Sequence, residues 1–155
     1  MKKAFVIYAT RTNETGKLAE LIAEGMKSEG IDVTVAKVSE IKKKGIQLEN
    51  CDAFVLGSPT YKGEMLQAMK TFLLTIEKED VGAKVGGAFG AFGWSGEASK
   101  QIYGTMKNIL KMKMVDKPLR VKSTSETGGA IEAKKYGREV AKILKYGREI
   151  SDMMS

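Results

Sequence analysis

An α/β fold, with a parallel β-sheet between layers of helices, is predicted by three observations. Five short strand-like runs, near residues 4–8, 31–38, 52–57, 84–90 and 118–122, alternate with segments whose apolar residues recur at helical spacing. The runs at 4–8 and 52–57 are almost continuously apolar, as strands buried on both faces are. A strand–helix order repeated five times leaves parallel pairing with helices on both faces as the simplest packing. At 155 residues the chain is expected to be a single domain spanning 1–155.

Each element has its own signal. Ala4, Phe5, Val6, Ile7 and Tyr8 form the first strand, and Leu18, Leu21, Ile22, Gly25 and Met26 mark the helix after it. Residues 31–38 alternate in period two with charged members, which suits an edge strand. Residues 39–44 are polar and allow one or two helical turns. The third strand, 52–57, is followed by a helix with Leu66, Met69, Phe72, Leu73 and Ile76 as its core stripe. The fourth, 84–90, is made of small residues, and Gly86 and Gly87 imply close packing against its backbone. A helix carrying Ala98, Ile102, Met106, Ile109 and Leu110 follows. Residues 118–122 form a short fifth strand opened by Pro118. The last helix is expected from about 130 to 150, with Val140, Ile143 and Leu144 inward. Lys-Tyr-Gly-Arg-Glu occurs at 135–139 and again at 145–149. Ten residues is not a whole number of helical turns, so the copies face different ways.

In doubly wound sheets, ligands bind beyond the carboxyl ends of the strands where the strand order reverses. Three unusual turns fall at those ends. The first is Thr10, Arg11, Thr12, Asn13, Glu14 and Thr15, between a strand and a helix. Backbone N–H groups and the positive helix end can hold an anion there, with three threonine hydroxyls as further donors. The same residues are equally compatible with Thr12 or Asn13 simply capping the helix. The second turn is Ser58, Pro59, Thr60, Tyr61, Lys62 and Gly63. The third runs through Ala91, Phe92, Gly93, Trp94, Ser95 and Gly96. Each of the last two turns carries an exposed-looking aromatic, Tyr61 in one and Trp94 in the other. A phosphate-binding turn beside two aromatic turns suits a planar ring with a phosphorylated tail, such as FMN.

Composition removes several alternatives. With no histidine and one cysteine, Cys51, the usual zinc, haem and non-haem iron ligand sets are lacking, as is any His-based triad or acid–base pair. The lone cysteine excludes an internal disulfide and fits a cytoplasmic protein. The apolar start ends by Ala9, too short for a signal peptide core, and no run has transmembrane length, so no membrane association is expected. The net charge is +7. It favours acidic partners, and no nucleic-acid recognition motif accompanies it. The nine methionines fit core filling. A phosphoacceptor receiver domain would need an aspartate at the end of the third strand, where this chain has Ser58.

On these motifs the chain resembles a flavodoxin. Residues 10–15 resemble the family's phosphate loop, T/S-x-T-G-x-T, with Asn13 in place of the glycine. Asn tolerates left-handed backbone, so the loop shape is expected to survive. Residues 57–63 and 88–98 resemble the flavin loops of the flavodoxin-like domain in flavodiiron proteins. The resemblance implies a three-layer sandwich with a five-stranded parallel sheet in the order 2-1-3-4-5, short-chain type, and noncovalent FMN. It implies that residues 10–15 hold the phosphate. Tyr61 and Trp94, with Phe92, would cover the two faces of the ring, and Lys62 and Gly63 would lie beside its N5 edge. Gly63 would supply the positive φ that a type II turn needs at its third residue. The implied role is electron carriage between redox partner proteins, here ones with acidic docking surfaces, because the chain is basic where the family is usually acidic. The alternative is an FMN-dependent NAD(P)H:quinone-type reductase, although no second Gly-rich nucleotide motif is present.

Overall fold

The computed structural model describes residues 1–92, 96–122, 127–147 and 153. Its elements follow the expected alternation. They are β1 (Lys3–Tyr8), α1 (Glu14–Ser28), β2 (Asp32–Lys37), β3 (Ala53–Gly57), β4 (Thr60–Tyr61), β5 (Glu64–Met65), α2 (Gln67–Glu77), β6 (Val85–Ala91), α3 (Glu97–Asn108), β7 (Lys113–Met114), β8 (Leu119–Val121) and α4 (Thr127–Tyr146). The main sheet is parallel, in the order β2-β1-β3-β6, with β7 and β8 both paired to the outer side of β6. This is the 2-1-3-4-5 order with its fifth position built from two short pieces instead of one strand. The residues at 39–44 give a 3-10 turn at Val38–Glu40 followed by a hydrogen-bonded turn, in which Lys44 N–H donates to Glu40 O at 2.9 Å.

Alternation along the buried strands divides the core in two. Ala4, Val6, Ala53 and Val55 face α1 and α4, while Phe5, Ile7, Phe54 and Leu56 face α2 and α3. β2, at the edge, buries only Ala36 fully and exposes Asp32 and Lys37 at its ends, as an edge strand can. Ile109 departs from its expected core role. The helix stops at Asn108, and Ile109 is 59% exposed beyond it.

Helices α1 and α4 cross in backbone contact. A Cβ at Gly25 would lie 2.1 Å from the Lys134 carbonyl oxygen, and one at Gly137 would lie 2.0 Å from that of Ile22. The pentapeptide at 135–139 therefore supplies the crossing point. In the described part of its copy, Tyr146 is exposed and Gly147, at φ +80°, follows the last residue of α4.

The broken fifth strand is closed by tyrosines. β7 pairs with Val85 and Gly86, and β8 with Phe89, Gly90 and Ala91, so the step between them lacks a strand partner on that side. There the Ala88 N–H donates to the Tyr136 hydroxyl (3.1 Å), which in turn donates to the Lys117 carbonyl (2.9 Å). The Tyr103 hydroxyl meets the carbonyls of Val115 and Asp116, the latter at 3.0 Å. Burial pushes the Tyr136 phenol well above its usual range, so it stays protonated and can donate. Gly86 and Gly87 have the close neighbours expected of them, Met114 and Tyr136 respectively.

Two outcomes follow for stability. Tyr136→Phe strands a buried N–H and a carbonyl, which costs about 1–3 kcal/mol, whereas Tyr103→Phe, nearer the surface, costs about 0.5–1.5 kcal/mol. Urea denaturation should show a lower midpoint with an unchanged slope for both, Tyr136→Phe falling further. Burial also pushes the Cys51 thiol up to about 12. Alkylation at pH 8 should therefore be far slower in the folded than in the urea-unfolded protein, and equal rates would contradict this placement.

Candidate functional site

The ladders of β1, β3 and β6 end level with one another. Tyr8 is opposite Gly57, and Gly57 is opposite Phe89. The pairing runs one step further, because Ala9 N–H donates to Gly57 O (3.0 Å) and Ser58 N–H to Phe89 O (3.2 Å). The three turns singled out in the sequence thus leave the same edge of the sheet side by side.

The first turn runs directly into α1. Asn13 sits at the N-cap with φ −80°, and its side chain makes no capping bond. The position makes no demand for left-handed backbone, so asparagine replaces glycine there without strain. The expectation of a left-handed loop is corrected on that point. The Thr12 hydroxyl oxygen accepts from the Glu14 N–H at 3.4 Å, and the first full helical bond joins Lys17 N–H to Asn13 O (3.0 Å). The N–H groups of Thr15 and Gly16 are left directed out of the helix end. The Thr10 hydroxyl donates to the Thr12 carbonyl within the turn. Thr15 is buried, and Glu14 is held toward Lys17 at 3.8 Å.

The second turn is a β-hairpin instead of the simple turn expected. Thr60 pairs with Met65 and Tyr61 with Glu64, so Lys62 and Gly63 form a two-residue loop. Both have positive φ, 52° and 77°. That is a type I′ turn and not the expected type II, because I′ matches the twist of the two strands it joins. Ser58 is buried, with its hydroxyl donating to Pro59 O and accepting from Leu66 N–H, each at 2.9 Å. Ser58 and Pro59 therefore form the base of the hairpin. Tyr61 is 46% exposed, with the Arg11 guanidinium carbon 3.8 Å and the Lys62 ammonium 5.4 Å from its ring centroid.

The third turn begins at Ala91, which is buried, and Phe92, whose N–H donates to Val121 O at 2.9 Å. Gly93, Trp94 and Ser95 lie outside the described residues, and the role expected of Trp94 with them. Beyond them, Gly96 lies against Arg120, whose guanidinium carbon is also 5.4 Å from the Phe92 ring centroid.

Two residues, Thr60 of the second turn and Gln101, which carries no signal in the sequence, tie the second turn to the third. The Thr60 hydroxyl accepts from the Ala98 N–H (2.9 Å), capping α3 from another loop. Gln101, on α3, accepts from Met65 N–H and donates to Gly63 O, both at 3.0 Å. Nothing in a lone glutamine on a helix announces this. Arg120 gave no signal either, since an outward arginine in an edge strand reads as solvated. Among the described residues Arg11, Lys62 and Arg120 form no ion pair, so the rim of the site is cationic. The described residues also hold no cluster of acidic, histidine or cysteine side chains fit for a metal ion, and no helix long and apolar enough to cross a membrane.

Comparison with known proteins places this arrangement in context. The family model described as "Flavodoxin domain" matches residues 5–151. A solved flavodoxin from the domain Archaea superposes with a TM-score of 0.86 at 32% identity, over 93% of this chain and 99% of that one. The type A flavoprotein of Rhodobacter capsulatus is 30% identical over 147 residues, 92% of this chain and 33% of the relative. The rubredoxin oxygen:oxidoreductase of Desulfovibrio gigas superposes with a TM-score of 0.86 at 27% identity, over 95% of this chain and 37% of that one. The chain spans about a third of the length of the curated relatives it matches.

The Gln101 contacts give a direct expectation. Gln101→Ala removes both bonds to the hairpin, and at about 1 kcal/mol each the Met65 amide should exchange with solvent roughly tenfold faster or more. Gln101→Glu keeps the acceptor for Met65 and loses the donor to Gly63, so its exchange rate should fall between the two. Unchanged exchange in Gln101→Ala would show that the hairpin is held by other means.

Proposed function

Since the chain belongs to the flavodoxin-domain family, we propose that it carries electrons between redox proteins, its partners presenting acidic surfaces to the cationic rim. FMN is the cofactor this fold and these relatives imply. The observation that best supports the reading is the pairing of an uncapped helix start with an exposed aromatic face on the next loop.

The donor set fits a phosphorylated flavin. The N–H groups of Thr15 and Gly16, the Thr12 hydroxyl and the positive end of α1 suit a phosphate. Arg11, Asn13 and Glu14 contribute backbone to the same turn, and the Thr10 hydroxyl bonds within it. Tyr61 offers a ring-sized apolar face, Thr60, Lys62 and Gly63 set its position, and Ala91, Phe92 and Gly96 frame the opposite side. FMN supplies the electron chemistry itself, so no side chain need act as acid or base. What the chain contributes is orientation and electrostatics. Lys62 and Arg120 favour added negative charge, and Arg11, Lys62 and Arg120 together favour approach of an acidic protein.

Titration of the apoprotein tests the cofactor. FMN should bind and riboflavin should bind roughly 100-fold or more weakly, because several charge-assisted hydrogen bonds depend on the phosphate. Equal affinity for the two would remove residues 10–15 from the site. Steady-state oxidation of NADH or NADPH by the flavin-loaded protein should be negligible, and rapid turnover with a quinone would establish the reductase reading in its place.

A second measurement concerns charge. Lys62→Gln should lower the reduction potential of the bound flavin by roughly 30 mV or more at low ionic strength, and by less in high salt. A potential unaffected at low salt would place the Lys62 charge in bulk solvent.

A further inference from the structure

Arg11 stands in the phosphate turn, yet its side chain is engaged elsewhere. A carbon 3.8 Å from a ring centroid cannot lie in the plane of the ring, so the guanidinium covers one face of Tyr61. The strand order decides which face. β3 lies between β1 and β6, so the turn after β1 and the turn after β6 are on opposite sides of the hairpin that carries Tyr61. Arg11 therefore reaches the ring from the β1 side, away from Phe92 and Gly96, while the Lys62 ammonium, on the loop itself, lies farther out at 5.4 Å from the same centroid.

The hairpin itself supplies little rigidity at this point. It has two residue pairs, and Tyr61 is the last before the turn. A two-stranded hairpin is marginal on its own, and Gln101 fixes only its second strand and the far side of its loop. A planar guanidinium stacked on the rear face is suited to hold the ring, because it matches the ring in shape and gains cation–π attraction.

We propose that Arg11 is a positioning residue for Tyr61, bracing the ring from behind, and not a ligand of the phosphate. This rests on the flavin reading above and assigns the side chain to recognition of the ring system. Arg11 also joins the two halves of the site, since its backbone belongs to the phosphate turn and its side chain to the aromatic wall.

The two roles of Arg11 separate in a flavin series. FMN and riboflavin are titrated against apoprotein at 0.5 M salt, which screens long-range attraction to the phosphate. The proteins are wild type, Arg11→Gln, Arg11→Lys, Tyr61→Leu and the Arg11→Gln/Tyr61→Leu pair. Arg11→Gln should weaken both flavins by the same factor, roughly three- to tenfold. Arg11→Lys should lose part of that, since an ammonium does not stack. In the Tyr61→Leu background Arg11→Gln should have no effect. Loss of FMN affinity alone, or a loss that persists without Tyr61, would overturn the proposal. A second readout needs no flavin. The Arg11 side-chain N–H resonance of the apoprotein should be ring-current shifted and should return to its ordinary position in Tyr61→Leu, whereas an unshifted resonance in wild type overturns the brace. A wild type that binds neither flavin sinks the cofactor reading alone, and the resonance then decides the Arg11 contact.

Discussion

The flush ending of three parallel ladders is the constraint on which the site depends. Parallel strands cannot be joined by tight turns, so each must be followed by a crossover, and each crossover begins at the same edge of the sheet. With Tyr8, Gly57 and Phe89 in register, three connections separated by dozens of residues leave the same edge of the sheet, on strands spaced about 4.8 Å apart, that of β6 two residues further on after Ala91. A slip of one residue in either ladder would reverse the faces on which Phe5, Phe54 and their neighbours pack, so the two apolar layers hold the register. The geometry of the site is thus fixed by burial well beneath it.

Above that base the loops are tied to each other more than to the strands. Thr60 caps α3, Gln101 grips the hairpin at Gly63 and Met65, and Arg11 lies on Tyr61. These bonds link the second turn to the third and the first turn to the second. Such cross-ties reduce the ordering that a ligand would otherwise have to impose on binding. They also explain why a lysine can persist at φ 52° in the hairpin loop. The strain of about 1–2 kcal/mol is tolerated because the strands and Gln101 fix the turn.

Most of the architecture was legible in the chain because period-two and helical patterns report burial directly. Residues 4–8 and 52–57 announced buried strands, and the alternation at 31–38 announced an edge. What was hidden depended on partners distant in sequence. The hairpin at Thr60–Met65 has too few residues to show a period, and its turn type follows from strand twist. The broken fifth strand shows only as a proline, and its repair by Tyr103 and Tyr136 is carried by residues on two helices. The phosphate turn was recognisable by composition, yet the division of labour among its threonines was not. Thr10 and Thr12 differ in what they bond, a matter of backbone direction.

The tyrosine closure of the sheet has a consequence for how the molecule meets others like itself. A sheet edge with several free N–H and C=O groups in a row is a template on which a second chain can add a strand. Here the outer boundary beyond β6 is cut into pieces of two and three residues. The gap between them is occupied by a side chain that already engages the Ala88 N–H. At the opposite boundary β2 presents Asp32 and Lys37 at its two ends. The margin beyond β6 thus lacks the uninterrupted run that edge-to-edge association requires, so the broken strand, a flaw in the ladder, serves on that side as a guard against self-assembly.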